Sequence, residues 1–142
     1  MERMEVFTDA WCDACCARLN ASAEYRQAAA TWEGTVVLVM TADAAHGIPG
    51  ERAVWIDAHH GHCRDSRVAT AADRASAAYV LQADAATWTR LLAGETDPVS
   101  AAMTGKLKLT KGNLMSLAKY AAAAREMLRA AGEVGGTFPA SA

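Results

Sequence analysis

The chain has 142 residues, and although 52% of them are hydrophobic, 34 are alanine, which leaves about 40 larger apolar side chains. A chain of this length forms one domain with its own core. The net charge of -2 and the pI near 6.1 exclude the basic surface of a nucleic-acid-binding protein. The longest apolar stretches, such as 35–41, are much shorter than the ~20 residues of a membrane-spanning helix. Residues 1–5 carry two acidic side chains, where a secretory signal has a basic segment followed by an apolar one, so we expect a cytoplasmic protein.

The first thirty residues are predicted to be helical, because apolar side chains such as Phe7, Trp11 and Leu19 recur at helical spacing. The helical pattern ends at Gly34. Residues 35–41 then predict a strand with both faces covered: Val36, Leu38 and Met40, with Trp32 before them, share one face, and Thr35, Val37, Val39 and Thr41 share the other. A loop rich in glycine and proline joins it to a second strand, residues 52–62, in an antiparallel hairpin.

The middle of the chain predicts a third strand and two short helices. Residues 65–74 are polar and carry no clear pattern, whereas residues 76–83 predict a strand, antiparallel to the others. Asp84 is an N-cap for a helix that ends at Gly94, and Asp97 with Pro98 begins another that runs to about Met103.

The last part of the chain predicts a strand, a long helix and a tail. Residues 106–110 alternate Lys and Leu between glycines and predict a fourth strand. The last helix runs from Asn113 to Gly132, and residues 133–142 form a flexible tail after a single domain over 1–132. This order of elements predicts an α+β fold with helices packed on one sheet.

The last helix carries small side chains on its predicted inner face, from Ala121 to Ala124, between Leu117 and Leu128. Two interpretations stay open. Either the helix simply lies close to the sheet, or the small side chains leave an apolar cavity that accepts a hydrophobic ligand.

The second half of the chain resembles a known family. The segments that carry the resemblance are Tyr79-Val80-Leu81, Trp88 with Leu91-Leu92-Ala93-Gly94, Asp97-Pro98, Ala101-Ala102-Met103, Gly105-Lys106-Leu107-Lys108-Leu109 and Lys111-Gly112. In order and spacing they are similar to the sterol carrier protein family, second type, also called nonspecific lipid-transfer proteins. The resemblance covers roughly half of the chain.

The resemblance implies a mostly antiparallel five-stranded sheet flanked by helices, and an apolar tunnel that carries a fatty acyl chain, acyl-CoA, sterol or isoprenoid. The activity that it implies is binding and transfer rather than catalysis. We further expect no cofactor, and transient contact with a membrane stays open. The expected ligand-binding residues are apolar positions on the sheet, the helix after the third strand and the last helix. They are Val37, Met40, Trp55, Trp88, Leu92, Met103, Leu117, Tyr120, Ala121, Ala124 and Leu128, of which the matching segments support only those from Trp88 onward.

Two polar clusters lie outside the resemblance: Cys12, Cys15 and Cys16 in the first helix, and the run His59-His60-Gly61-His62-Cys63. Such residues can form a zinc site, but cysteines inside a helix do not form a zinc knuckle, and strand alternation separates His60 and His62 from His59 and Cys63. We therefore expect no metal, and no disulfide between Cys63 and the first helix. The alternative function is a small enzyme that uses the same pocket with Cys63 as nucleophile and a nearby His as base. A partner-binding module is a third interpretation.

Overall fold

The computed structural model describes residues 5–43, 48 and 50–136. The helices are α1 (Asp9–Ala21), α2 (Ala23–Ala28), α3 (Ala71–Ser76), α4 (Ala85–Leu92), α5 (Pro98–Met103), α6 (Leu114–Lys119) and α7 (Ala121–Val134). The strands are β1 (Glu33–Met40), β2 (Arg52–His59), β3 (His62–Val68), β4 (Tyr79–Ala83) and β5 (Lys108–Lys111). The predicted α+β class, the hairpin of β1 with β2 and the two short helices after β4 are confirmed.

The strands of the described residues form one five-stranded sheet in the order β3-β2-β1-β4-β5. Three of the pairings are antiparallel, as expected from the family resemblance, but β4 runs parallel to β1. The prediction that the third strand is antiparallel was therefore wrong. The chain crosses from β3 through α3 before it returns beside β1, and side-chain alternation within a strand carries no information on which neighbour it joins.

The strand predicted over residues 52–62 is in fact two elements. A tight turn at His60 and Gly61 ends β2 at His59, and the polar segment that follows is the edge strand β3. Edge strands are often rich in charged side chains because only one side of the strand is paired. This explains why β3 carries no strong apolar pattern.

Two predicted helices are each divided in two. Ser22 ends α1 and caps α2 with its hydroxyl, which accepts from the Tyr25 amide at 3.1 Å. Tyr120, with φ -105° and ψ 32°, separates α6 from α7. The last helix continues past Gly132 to Val134, so the predicted end was two residues short. Residues 137–142 of the predicted tail lie outside the described residues.

The sheet has a large and a small apolar face. The α1, α2 and α4–α7 helices cover the large one, where Val36, Leu38 and Met40 point into the main core. Val37 and Val39 point to the opposite face, into a smaller cluster with Val80. Both faces of β1 are thus covered, as predicted. Among the residues that the structure describes, no helix is long and apolar enough to cross a bilayer.

Candidate functional site

An apolar pocket lies on the large face of the sheet, between β1, β4 and the helices α4–α7. Its wall on the sheet side consists of aromatic and aliphatic side chains, and its wall on the helix side is mostly aliphatic. The lining residues are Trp32, Val36, Leu38, Tyr79, Leu81, Trp88, Pro98, Leu107, Leu117, Ala124, Met127 and Leu128. A site with this lining can bind hydrophobic groups by burial, but it offers few groups for acid–base chemistry.

Two of the aromatic side chains in this wall are fixed by specific contacts. The Trp88 indole is fully buried, and its Nε1 donates to the Val39 carbonyl oxygen at 2.9 Å, which attaches α4 to the central strand. The Trp32 ring stacks on Tyr120 with 6.0 Å between ring centroids, and it meets Tyr79 edge-on. The tyrosine that divides the last helix therefore packs against a pocket residue.

The pocket is nearly closed. Its volume is about 20 Å³, which is room for about one water molecule. A more open polar groove of about 630 Å³ lies between α4, the segment 93–97 and α7, and it shares Pro98 and Leu128 with the pocket wall. An occupant larger than water must therefore push the helices apart.

The structure brings four of the predicted ligand-binding residues to this pocket: Trp88, Leu117, Ala124 and Leu128. The others lie elsewhere. Met40 is buried in the same core, away from the lining; Leu92 faces the polar groove; Met103 is 73% exposed; and Ala121 and Tyr120 are half-buried. Val37 and Trp55 are on the opposite face of the sheet, where the Arg67 guanidinium lies 4.0 Å from the Trp55 ring centroid.

Several of these differences have a physical reason. A single helix was assumed across Tyr120, and the break there leaves Tyr120 and Ala121 half-buried, outside the lining. For Val37 and Trp55, strand alternation separates the two faces but does not say which face the helices cover. Sequence reasoning missed Trp32, Val36, Leu38, Tyr79, Leu81, Pro98, Leu107 and Met127 as lining residues. The signal for Val36 and Leu38 was present, because both share a face with Trp32 in the predicted strand.

Comparison with known proteins agrees with this architecture. The profile of the SCP-2 sterol transfer family matches residues 13–125. The chain belongs to the SCP-2 sterol transfer family. A crystal structure of sterol carrier protein 2 is 44% identical, with a TM-score of 0.82 over 91% of this chain and 98% of that one. The solution structure of a Thermus thermophilus protein, described as possibly a sterol carrier protein, is 43% identical, with a TM-score of 0.83 over 96% and 94% of the two chains.

A more distant sterol carrier protein 2, from Yarrowia lipolytica in its apo form, shares the fold. It is 21% identical, with a TM-score of 0.58 over 84% of this chain and 87% of that one. A comparison with curated protein sequences gives no significant match.

Within this SCP-2 fold, Cys16 and Cys63 form a disulfide that links α1 to β3. The expectation of no disulfide between Cys63 and the first helix was therefore wrong. That expectation was based on a reducing compartment. The sequence does not show that α1 lies directly over the edge strand β3, which brings the two cysteines together. The Asn20 side chain reinforces the contact, since its amide donates to the Cys63 carbonyl and accepts from the Cys63 amide, both at 2.9 Å.

The disulfide also engages the cysteine that the enzyme alternative uses as its nucleophile. The Cys63 sulfur is bonded to another sulfur and is not a free nucleophile. Cys12 and Cys15 are buried free thiols; burial raises the pKa of Cys12 to about 11 and that of Cys15 to about 12, so both are protonated at neutral pH. A protonated, buried thiol is a poor nucleophile and a poor metal ligand.

The histidines are arranged differently from the prediction. His59 and His60 lie side by side next to Glu33, because the chain leaves the strand at His60 and alternation no longer applies. Among the described residues, no cysteine belongs to this group of ligand atoms.

Proposed function

We propose that this protein binds a hydrophobic small molecule in the apolar pocket between the sheet and α4–α7, and releases it unchanged to another acceptor. The observation that carries the proposal is the lining of the pocket, which is apolar on every side and, apart from Met127 and Leu128, lies within the segment that matches the SCP-2 family. The ligand class is a fatty acyl chain, acyl-CoA, sterol or isoprenoid. All of these bind mainly through buried CH₂ groups, each of which contributes about 0.8 kcal/mol.

Ligand entry requires the pocket to expand, because sites for molecules of this size enclose about 300–1,000 Å³. The elements best suited to move are α5 and α6. Each has six residues, and each contributes few buried side chains: Pro98 and Ala101 from α5, and Leu117 from α6. Their outward displacement enlarges the pocket without breaking the sheet.

The outer surface of these two helices suits a membrane. Met103, Leu114 and Met115 are 73%, 40% and 77% exposed, and α5 packs against α6, so these apolar side chains lie on neighbouring helices. Exposed lysines Lys106 and Lys108 follow α5 in the chain. Exposed apolar side chains beside basic ones favour the surface of an anionic bilayer. We propose that α5 and α6 make the transient membrane contact during which ligand is exchanged.

Binding is tested by filling the pocket. Ala124→Trp places an indole inside the lining and is expected to weaken binding of a fluorescent fatty acid at least tenfold, which is about 1.4 kcal/mol. Ala122→Trp, at an exposed position of the same helix, is the matched control and should bind as the wild type does. The proposal fails if the wild type binds no acyl, sterol or isoprenoid probe, or if the two variants bind equally well.

Membrane exchange is tested separately. Met103→Ser with Met115→Ser is expected to slow transfer of the fluorescent fatty acid between vesicles containing anionic phospholipid, while equilibrium binding in solution stays unchanged. Equal transfer rates for the variant and the wild type would contradict the role of α5 and α6.

The cytoplasmic location expected from the sequence stays a prediction. The Cys16–Cys63 disulfide supplies a way to test it, since disulfides are rare in reducing compartments. Alkylation of free thiols in intact host cells, followed by mass spectrometry, shows whether the pair is reduced. Full reduction agrees with the cytoplasm, and full oxidation contradicts it.

A further inference from the structure

We propose that Glu33, His59 and His60 form a binding site for a divalent transition-metal ion. The inference is independent of the apolar pocket and of the proposed ligand transfer. One carboxylate oxygen and two imidazole nitrogens, all within 4.8 Å of one another, lie at one end of the sheet. This combination of ligands suits Zn²⁺, Ni²⁺ or Cu²⁺ and is less suited to Ca²⁺ or Mg²⁺, which prefer oxygen ligands.

The backbone fixes two of the three ligands. Glu33 is the first residue of β1, His59 is the last residue of β2, and the two are direct partners in the antiparallel register. Side chains of directly paired residues lie on the same face, with about 4.5–5.5 Å between their Cβ atoms. The position of the Glu33 carboxylate beside the His59 imidazole is therefore a consequence of the sheet register.

The third ligand is placed by the turn. His60 and Gly61 have φ angles of 48° and 84°, both in the left-handed region, as in the two-residue turns that favour hairpins. The His60 amide donates to the Trp32 carbonyl oxygen at 2.8 Å, which folds the turn back toward the start of β1. On its other side the turn packs closely against α2, because a Cβ added at Gly61 would lie only 2.7 Å from the Arg26 carbonyl oxygen.

The distances between the ligand atoms fit one ion. His60 Nε2 lies 3.0 Å and His59 Nδ1 3.7 Å from the same Glu33 oxygen, Oε2. Bonds of about 2.0–2.1 Å to a tetrahedral Zn²⁺ place neighbouring ligand atoms about 3.4 Å apart. The two imidazole rings are stacked, with 4.2 Å between centroids and 17° between planes. Small side-chain rotations bring all three atoms to one ion.

The exposure of the site leaves room for solvent ligands. The side chains of His59, His60 and Glu33 are 39%, 51% and 63% exposed, so water completes the coordination. No metal was expected from the sequence, because the site weighed there was a zinc site formed by the cysteines and the histidine run together. Two cysteines form the disulfide and the other two are buried thiols. The strand register and the turn place Glu33 beside His59 and His60.

The experiment uses tag-free protein, treated with chelator and titrated calorimetrically with ZnCl₂. We expect one saturable site per chain. Glu33→Gln, His59→Gln and His60→Asn should each weaken Zn²⁺ binding at least tenfold. Asparagine is chosen at position 60 because Asn-Gly is a preferred sequence for this type of turn, so the variant removes the imidazole and keeps the hairpin.

His62→Ala is the control. His62 is an exposed histidine that pairs directly with His59 in the register of β2 and β3, yet its ring lies outside this group of described ligand atoms. The variant should bind Zn²⁺ as the wild type does. In NMR spectra of the imidazole nitrogens, Zn²⁺ should shift the His59 and His60 signals together and shift those of the neighbouring His62 much less. The proposal is overturned if no stoichiometric binding is found, if His62→Ala weakens binding as much as the other variants, or if the three variants fold normally and bind as tightly as the wild type.

Discussion

The two ends of the helical layer are attached to the sheet in different ways. At the β3 end, α1 is joined to the edge strand by the Cys16–Cys63 disulfide and by Asn20, and Asp9 Oδ1 accepts the Val68 amide at 2.8 Å. At the other end, the short helices α5 and α6 meet the sheet through the apolar side chains of the pocket. The difference indicates which end can open: a covalently linked helix stays in place, whereas short helices held by apolar contacts can move apart around a hydrophobic ligand.

The largest expected effect comes from removing the covalent link. The disulfide closes a loop of 47 residues, for which loop-closure entropy predicts about 4 kcal/mol of stabilisation. Cys16→Ser with Cys63→Ser should lower the free energy of unfolding in urea by that amount. Dithiothreitol should destabilise the wild type equally and leave the double variant unaffected. A wild type with the same stability in dithiothreitol would contradict the anchoring role.

Equal truncations at the two ends sharpen the comparison. Leu19 on α1 and Leu117 on α6 are 2% and 4% exposed, so they bury similar area. Leu117 lines the existing gap in the pocket, so part of its side chain faces that gap. Within the roughly 2–5 kcal/mol that Leu→Ala changes cost in cores, we expect about 4 kcal/mol for Leu19→Ala and about 2 kcal/mol for Leu117→Ala. A larger loss at Leu117, measured by urea unfolding, would indicate that the pocket end is packed as tightly as the other.

The same contrast explains how far the sequence could predict this molecule. Local signals were sufficient for the caps, and the structure confirms Asp84 and Asp97 as N-caps of α4 and α5. Within a strand, alternation correctly separated Val36 and Leu38 from Val37 and Val39. These features depend only on neighbours along the chain.

Features that depend on contacts between distant segments were not predicted. The parallel pairing of β4 with β1, the disulfide between positions 16 and 63, and the position of Glu33 beside His59 all require knowledge of which elements are adjacent. The pocket lies between these cases. Its helical wall was partly predicted from the small residues of α7, but the break at Tyr120 leaves Tyr120 and Ala121 outside the lining.

A glycine in α7 shows the same distinction between local and distant causes. Gly132 was expected to end the helix, yet α7 continues, and a Cβ at this position would lie 2.0 Å from the Leu92 carbonyl oxygen at the end of α4. Alanine favours a helix over glycine by about 1 kcal/mol, so a purely local role predicts that Gly132→Ala stabilises the protein. The close approach predicts the opposite.

We expect Gly132→Ala to lower the free energy of unfolding by about 2 kcal/mol, as for other overpacked sites. Gly50→Ala is the control, because no described atom lies within 4 Å of the added Cβ there, and its effect should stay within about 0.5 kcal/mol. A gain in stability for Gly132→Ala would show that α4 and α7 separate at little cost.

The smallest expected effect compares one tyrosine at each end. Tyr25 on α2 is fully buried, and among the described residues its hydroxyl has no hydrogen-bond partner. Tyr120, beside the pocket, is half-buried, and its hydroxyl lies 3.3 Å from the Thr31 carbonyl oxygen. A buried hydroxyl without a partner costs free energy that an apolar ring avoids. Tyr25→Phe should therefore raise the free energy of unfolding by about 1 kcal/mol, whereas Tyr120→Phe should lower it by up to about 1 kcal/mol.

Alkaline pH supplies an independent measurement of the same burial. Burial raises the pKa of Tyr25 from 10.0 to about 12. A group whose pKa is raised by folding stabilises the protein fully below its unfolded pKa, and this contribution is lost as the pH rises through the folded pKa. Between pH 10 and 12 the wild type should thus lose stability more steeply than Tyr25→Phe. Parallel stability curves for Tyr25→Phe and the wild type would mean that the Tyr25 hydroxyl reaches solvent. In that case the helical layer around α2 would open as readily as the pocket end.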